Sequence, residues 1–270
     1  MTLLPHEEEE KLGKHLTPGS RHYRAFVSPP DKYDLVSALQ FCLLTTLGLR
    51  EEHTLLDIGC GSLRGGRLFI PYLLSGRYFG VEPEQWLIDD GIKNELGTDI
   101  IDIKQPIFYN DRSFSFSVFN QTFDFILAQS IFSHAAQPQI EQCLAEAKKV
   151  MKATAIFVAN FVEGKFNHSG NDWIYPGSTA YTLDHMTHLV TAQGLSCKPI
   201  YWPHPVGLRW ILIVHPEYVE HIPPLHKTFP AMRAELDTYK QRLAHIENHP
   251  YVKAGLVINK LLRRIKSLKR

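Results

Sequence analysis

Short apolar runs alternate with longer stretches of helical periodicity through the middle of this sequence, and that alternation is its strongest constraint on fold. TLLDI (54–58), RYFGVE (77–82), PIFY (106–109), FDFILA (123–128) and AIFVAN (155–160) read as strands. Between them, helical patterns run from about Leu63 to Leu74, from Glu84 to Lys104 with a break near Gly97, and from about Gln137 to Val150. A helix between two strands returns the chain to the same end of the sheet, so the strands pair in parallel and both faces become covered. The end of the pattern differs. A helix over Leu183 to Gln193 leads into SCKPIYW and RWILIV, whose cores are separated only by WPHPVGL. A parallel crossover needs about a dozen residues, so these two runs should form an antiparallel hairpin. The expectation is a doubly wound α/β fold with a mostly parallel seven-stranded sheet ending in an antiparallel hairpin.

The flanks read as helical. After Pro29 and Pro30, a helix over Asp31 to Leu47 brings Leu35, Val36, Leu39, Leu43 and Leu47 to one side, with Gly48 as its stop. We therefore expect an N-terminal helical extension or lid over residues 1–50, a core domain over 51–216, and a C-terminal helical extension over 217–270. A chain of 270 residues fits one such core.

Within the core, LLDIGCGSLRGGRLF runs from strand through tight turn to helix. Gly59 and Gly61 remove side chains where a ligand would pack and permit positive φ. Ser62 is placed to cap the helix. Asp57, at the strand end, can accept hydrogen bonds from an ammonium group, directly or through water. Glu82 ends the second strand, where a carboxylate can take both hydroxyls of a ribose.

DIGCGS followed by VEPE resembles the first two motifs of class I S-adenosylmethionine-dependent methyltransferases, and the similarity covers about residues 53 to 215. FDFILAQSIFSHA resembles the fourth-strand motif of that family, and YTLDHMTHLVTAQGL its late helix. GSLRGGRLFIPYL and SPPDKYDLVSALQF look like a bacterial branch of it. The resemblance implies a Rossmann-like fold in which the glycine turn holds the methionine part of S-adenosylmethionine and Glu82 the ribose. The third glycine frequent in that turn is replaced by Leu63. For the acidic residue after the third strand, Asn110 and Asp111 are both candidates. Gln129, at the end of the fourth strand, falls on the cofactor side, and Tyr33 in DKYD would reach the methionine end if the N-terminal helix crosses the pocket. Ordinary helix packing is the alternative for Tyr33. A dehydrogenase using NAD would share the turn and the acid but not normally the hairpin, and a cofactor-binding sensor or partner subunit without catalysis would share all three.

Methyl transfer is an in-line displacement, so alignment and exclusion of water are the main tasks, and a base is needed only for a nucleophile that carries a proton of high pKa. His134, in the loop after the fourth strand, is the candidate base. It could equally cap the next helix or pack beneath the cofactor. His204 in the hairpin turn is a second candidate. Trp86, Trp173, Tyr175, Tyr181, Trp202 and Trp210 could wall an apolar or ring-bearing substrate or simply pack. His185 and His188 lack a third metal ligand at a matching spacing, and Gln129 and Asn160 at the strand ends do not supply the charge a magnesium site needs, so no metal is expected.

The 29 basic and 28 acidic residues give a net charge of +1, with no bulk electrostatic case for nucleic acid. The segment after the fourth strand lacks the Asn/Asp-Pro-Pro-Tyr arrangement of base-amino methyltransferases, which also argues against DNA. The acceptor class left is a small molecule or glycan, methylated on oxygen or nitrogen. Cys42, Cys60, Cys143 and Cys197 form no CxxC pair and read as buried free thiols. MTLLPHEEEEKLG lacks a secretory signal, and Phe41 to Leu49 is about half of the ~20 residues a membrane span needs, so a cytoplasmic protein is expected. The last segment, KAGLVINKLLRRIKSLKR, gathers Ala254, Val257, Ile258, Leu261, Leu262, Ile265 and Leu268 on one helical face and leaves most of its basic groups on the opposite face or the flanks. Residues 252–270 thus have the pattern of a helix that lies on an anionic membrane surface, and also of one that docks on its own domain or on a partner.

Overall fold

The computed structural model describes residues 9–225. The basic tail at 252–270 lies outside the described residues.

Eight strands form the sheet: β1 (Leu55–Ile58), β2 (Tyr78–Val81), β3 (Ile107–Tyr109), β4 (Phe123–Ala128), β5 (Met151–Glu163), β6 (Ala180–Tyr181), β7 (Ser196–Ile200) and β8 (Arg209–Val214). Their order is β3-β2-β1-β4-β5-β8-β7, with β6 paired to the end of β5. β1 lies parallel to both β2 and β4, and β4 parallel to β5. β8 runs antiparallel to β5 and to β7, which is the expected hairpin. The two-residue β6 is an addition that no periodicity signals. Because the chain leaves β1 toward β2 and later returns on its other side as β4, a topological switch point opens at the C-terminal ends of these strands. Ligands bind there in open α/β sheets.

The helices are α1 (Tyr23–Val27), α2 (Tyr33–Thr46), α3 (Gly66–Tyr72), α4 (Gln85–Gly91), α5 (Thr98–Lys104), α6 (Gln137–Val150) and α7 (Leu183–Ala192). α4 runs on into a single π-type turn, Ile92–Leu96, which Gly97 ends with a φ of +86°. Three expectations need correction. α2 begins after a 3₁₀ turn at Pro30–Lys32, and its buried side is Tyr33, Val36, Ser37, Gln40, Leu43 and Leu44, while Leu35 is 50% exposed. Its buried polar side chains face the glycine turn, where the Ser37 hydroxyl donates to the Arg64 carbonyl. α3 starts at Gly66, not near Leu63, because Leu63 adopts a φ of +58° and prolongs the turn. Cys60 and Cys143 are buried thiols, but Cys42 is exposed and Cys197 only half-buried.

β1 and β2 are buried along their whole length, as a sheet covered on both faces requires. On one face Leu56, Ile126, Phe157 and Ile211 from the strands pack with Ile140, Leu144 and Ala147 of α6 and with Leu189 of α7. Each fully buried leucine, isoleucine or phenylalanine side chain of this kind contributes roughly 1.5–3 kcal/mol. Among the described residues no helix is long and apolar enough to cross a membrane.

Candidate functional site

The turn after β1 is hooked to the end of β2: the Gly59 and Cys60 amides both donate to the Val81 carbonyl, at 2.8 and 3.1 Å. Gly59 and Gly61 have φ of +67° and +54°. A Cβ on Gly59 would collide with Ile131 Cδ1, and one on Gly61 would fall 2.8 Å from Val27 Cγ1. Leu63 stands in the same left-handed region, which costs a residue with a Cβ roughly 1–2 kcal/mol, and complete burial of its side chain offsets that strain. Ser62 does not cap α3, which begins four residues later. Its hydroxyl and carbonyl instead meet the Tyr33 hydroxyl.

Beside this turn, at the switch point, lies a cavity of about 530 Å³. It brings together Asp57, Gly59, Gly61, Glu82, Asp111, Gln129 and His134. Asn110 and Tyr33 do not line it. The Asn110 amide donates to the Glu82 carbonyl at 2.8 Å, which fixes the backbone below the acid. Tyr33 is fully buried and donates to the Ser62 carbonyl at 2.9 Å, so it props the turn from behind.

Two carboxylates face the cavity from buried positions. Asp57 accepts a 2.7 Å hydrogen bond from the Tyr78 hydroxyl, yet burial pushes its carboxyl up to about 7. Glu82 takes the Gly61 amide on one oxygen and the Glu84 amide on the other, both at 3.0 Å. Burial outweighs these bonds and raises it also to about 7. A carboxylate offers about four lone-pair sites, so each Glu82 oxygen retains one. Asp111 is the half-buried member of the set. Burial opposes its charge, but the Ser113 hydroxyl and backbone amides hold its carboxyl below the ordinary value.

Gln129 is buried, and its amide is already engaged. Asn160 Nδ2 donates to its Oε1 at 2.8 Å, while Gln129 Nε2 donates to the Ser130 hydroxyl at 2.8 Å and to His204 Nε2 at 3.0 Å. Burial, reinforced by the Arg64 charge, lowers His204 to about 3, so its ring is neutral and accepts at Nε2. Gln129 and His204 thereby support each other beneath the cavity.

His134 is differently placed. Its Nδ1 lies 2.6 Å from the Gly177 carbonyl and 3.2 Å from that of Ile174. Two acceptors at one nitrogen require that Nδ1 carry the proton, which in a neutral imidazole leaves the Nε2 lone pair free. Burial lowers the pKa of the ring despite those carbonyls, so the neutral form prevails at pH 7. It does not cap α6, whose start is closed by the Gln139 side chain on the Ala136 amide. The ring packs edge-on against Tyr175 and tilted against Trp173, and both aromatics line the cavity.

Other aromatic candidates lie elsewhere. Trp210 is buried, the Trp202 indole donates to the Leu39 carbonyl, the Tyr181 hydroxyl donates to the Ala135 carbonyl, and Trp86 packs on Phe26. His185 contacts Gln137, and among the described residues no cluster of His, Cys, Asp and Glu is arranged to hold a metal ion.

Phe26, Val27 and Arg64 are among the lining residues that sequence reasoning did not single out. Phe26 and Val27 arrive from α1, which Arg24 ties down by ion pairs to Glu95 at 2.6 Å and to Asp34 at 3.2 Å. Arg67 joins the same two carboxylates. The third is Arg64, whose signal was a lone cation inside an otherwise small and apolar turn.

No protein-family model matches the sequence. Solved structures do resemble it. The S-adenosylmethionine-bound magnesium protoporphyrin IX methyltransferase of Synechocystis superposes with a TM-score of 0.55 at 9% identity, over 77% of this chain and 91% of that one. A glycopeptide N-methyltransferase in complex with S-adenosyl-L-homocysteine gives 0.53 at 10% identity over 80% and 99%. An S-adenosylmethionine-dependent methyltransferase of Clostridium acetobutylicum gives 0.50 at 11% over 68% and 92%. The chain has the class I methyltransferase fold.

Proposed function

We propose that a chain with this fold and this cavity binds S-adenosylmethionine and transfers its methyl group to an oxygen or nitrogen of a small molecule or glycan. One observation carries the reading: a single cavity at the switch point joins the left-handed glycine turn to the two buried carboxylates, Asp57 and Glu82. When bound, S-adenosylmethionine supplies a methyl group made electrophilic by its attachment to a sulfonium.

The residues fit that ligand. Absent side chains at Gly59 and Gly61 let it approach the backbone closely. Asp57 would accept from its ammonium group, and the two free lone-pair sites of Glu82 would accept from the ribose hydroxyls. An ammonium or a pair of hydroxyl donors favours the ionised carboxylates that burial opposes in the free protein. Asp111 reaches the cavity where Asn110 does not, and we assign it the adenine side.

On the acceptor side, His134 Nε2 is the free base. It would take the proton from an acceptor O–H or N–H as that atom bonds to the methyl carbon and the carbon–sulfur bond breaks, its electron pair staying on sulfur as a neutral thioether, with the carbonyls of Gly177 and Ile174 stabilising the imidazolium through Nδ1–H. Phe26, Trp173 and Tyr175 line the same cavity and exclude water that would compete with the acceptor. The antiparallel hairpin next to β5 favours this reading over a dehydrogenase.

Isothermal titration with S-adenosylhomocysteine and, separately, with NAD tests the assignment. Binding of the former alone is expected, and binding of NAD alone would overturn it. Incubation of methyl-labelled cofactor and protein with cell extract should then yield a labelled small product. Cofactor binding without any labelled product would turn the reading toward a sensor or partner subunit.

A further inference from the structure

Arg64 is the least satisfied charge in the described part of the protein. The residue is 6% exposed, and its Nε is buried with no hydrogen-bond partner. Its one hydrogen bond is from Nη1 to the Val27 carbonyl at 3.0 Å. Arg24 and Arg67, the other arginines held in this region, each lie on two carboxylates. No carboxylate comes within ion-pair distance of Arg64 among the described residues, although the cavity it lines also contains Asp57 and Glu82. Leaving a guanidinium buried without an anion is strongly unfavourable. A fold tolerates that where a ligand supplies the anion.

The anion has a defined chemistry. Arg64 and Asp57 line one cavity beside the same glycine turn and offer opposite charges to whatever sits between them. That pair matches an α-amino acid, with its ammonium on Asp57 and its carboxylate on Arg64. The planar guanidinium takes a carboxylate through two parallel N–H bonds, and a buried setting strengthens them.

We propose that Arg64 is the carboxylate-binding residue of this cavity, and that it makes the site specific for a ligand with an intact amino-acid end. The proposal rests on the reading of the cavity as a site for S-adenosylmethionine. It adds a discrimination: decarboxylated or truncated thioether nucleosides bind weakly, because nothing then neutralises Arg64. It also gives ligand binding a route to α1, since the guanidinium that receives the carboxylate donates from Nη1 to Val27.

The test compares two probes on wild type, Arg64→Met and Arg64→Lys. S-adenosylhomocysteine carries the amino-acid end, and 5′-methylthioadenosine has the same nucleoside and thioether without it. Loss of a charge-assisted, two-point contact should weaken S-adenosylhomocysteine binding to Arg64→Met roughly 10- to 150-fold, while 5′-methylthioadenosine binding changes by less than about threefold. Arg64→Lys should recover part of the loss. Thermal unfolding without ligand reports whether each variant is folded, and Arg64→Met should unfold no earlier than wild type because it removes an unpaired buried charge. An equal loss for both probes would make Arg64 a structural support and overturn the proposal, as would an unchanged affinity for S-adenosylhomocysteine. If wild type itself binds no S-adenosylhomocysteine, the underlying reading of the cavity falls and this one with it.

Discussion

Glu82→Gln separates the cost of holding a carboxylate in this cavity from its use. Burial raises Glu82 from the ordinary 4.5 to about 7. At ~1.4 kcal/mol per pH unit, that corresponds to roughly 3 kcal/mol held against the ionised form in the free protein. Between about pH 4.5 and 7 the folded chain keeps the proton while the unfolded chain releases it, so Glu82 makes the fold less stable as pH rises through this window. Glutamine cannot ionise and removes that slope. It also replaces one of the two oxygens that accept from the Gly61 and Glu84 amides, a loss of about 1–1.5 kcal/mol. The variant should therefore be less stable than wild type at pH 4.5 by about 1 kcal/mol and more stable at pH 8 by about 2, with the curves crossing between about pH 5 and 6. Urea unfolding of both proteins without ligand, at several pH values, measures the difference directly. Asp57, His134 and His204 titrate in both proteins and largely cancel. Parallel curves, or wild type gaining on the variant as pH rises, would refute the raised carboxyl. With ligand the preference reverses: S-adenosylhomocysteine should bind wild type more tightly as pH rises toward 8 and bind Glu82→Gln tenfold or more weakly, because a charged acceptor contributes about 1.5–3 kcal/mol.

His134→Ala should lower turnover on the order of 100-fold and leave S-adenosylhomocysteine affinity within a factor of about two, measured with the acceptor that labelling identifies. In wild type the rate should fall as pH drops through the lowered pKa of this ring and be flat above it, and a variant with the same acid limb would remove His134 as the base. Gly59→Ala places a methyl group against Ile131 at a φ of +67°, so it should cost at least ~1–2 kcal/mol of stability in denaturation and weaken S-adenosylhomocysteine binding further than Gly97→Ala does, since Gly97 has nothing within 4 Å. Glu95→Gln removes the buried carboxylate shared by Arg24, Arg67 and the Tyr23 hydroxyl. It should cost about 3–5 kcal/mol and expose α1 to limited proteolysis ahead of the sheet. Simultaneous loss of all protection would show that α1 is not held separately.

The readable parts of this chain were those written in local patterns. Strand and helix periods, a connection too short for a crossover, and glycines at the end of a strand each depend on neighbours in sequence, and the parallel pairing, the closing hairpin and the positive φ of Gly59 and Gly61 follow from them, whereas the order of the strands does not. Asp57, Glu82 and His134 were readable because each occupies a strand end or the loop after it, and all strand ends of a parallel sheet converge on one edge. The illegible parts depend on long-range contacts. Tyr33 lay correctly on a helix beside the turn, but which side of the turn it touches is decided by packing against Ser62. Asn110 and Asp111 are adjacent and polar, and only the pairing of β3 with β2 turns one toward the Glu82 carbonyl and the other toward the cavity. α1 is five residues long with no amphipathic repeat, and it is held by Glu95, which lies 71 residues beyond Arg24.

Leu63 shows how such a contact overrides a local rule. A residue with a Cβ is disfavoured at positive φ, and sequence alone would extend α3 back to it. Its side chain is completely buried, and full burial of a leucine contributes roughly 1.5–3 kcal/mol, enough to offset a strain of about 1–2. The consequence is positional. Keeping Leu63 out of the helix prolongs the turn through Arg64, so that the guanidinium lines the cavity beside Asp57 and donates to the Val27 carbonyl. A leucine where a third glycine is frequent thus retains the left-handed turn, adds an anchor to the core, and leaves the next residue free to bring a charge to the cavity wall.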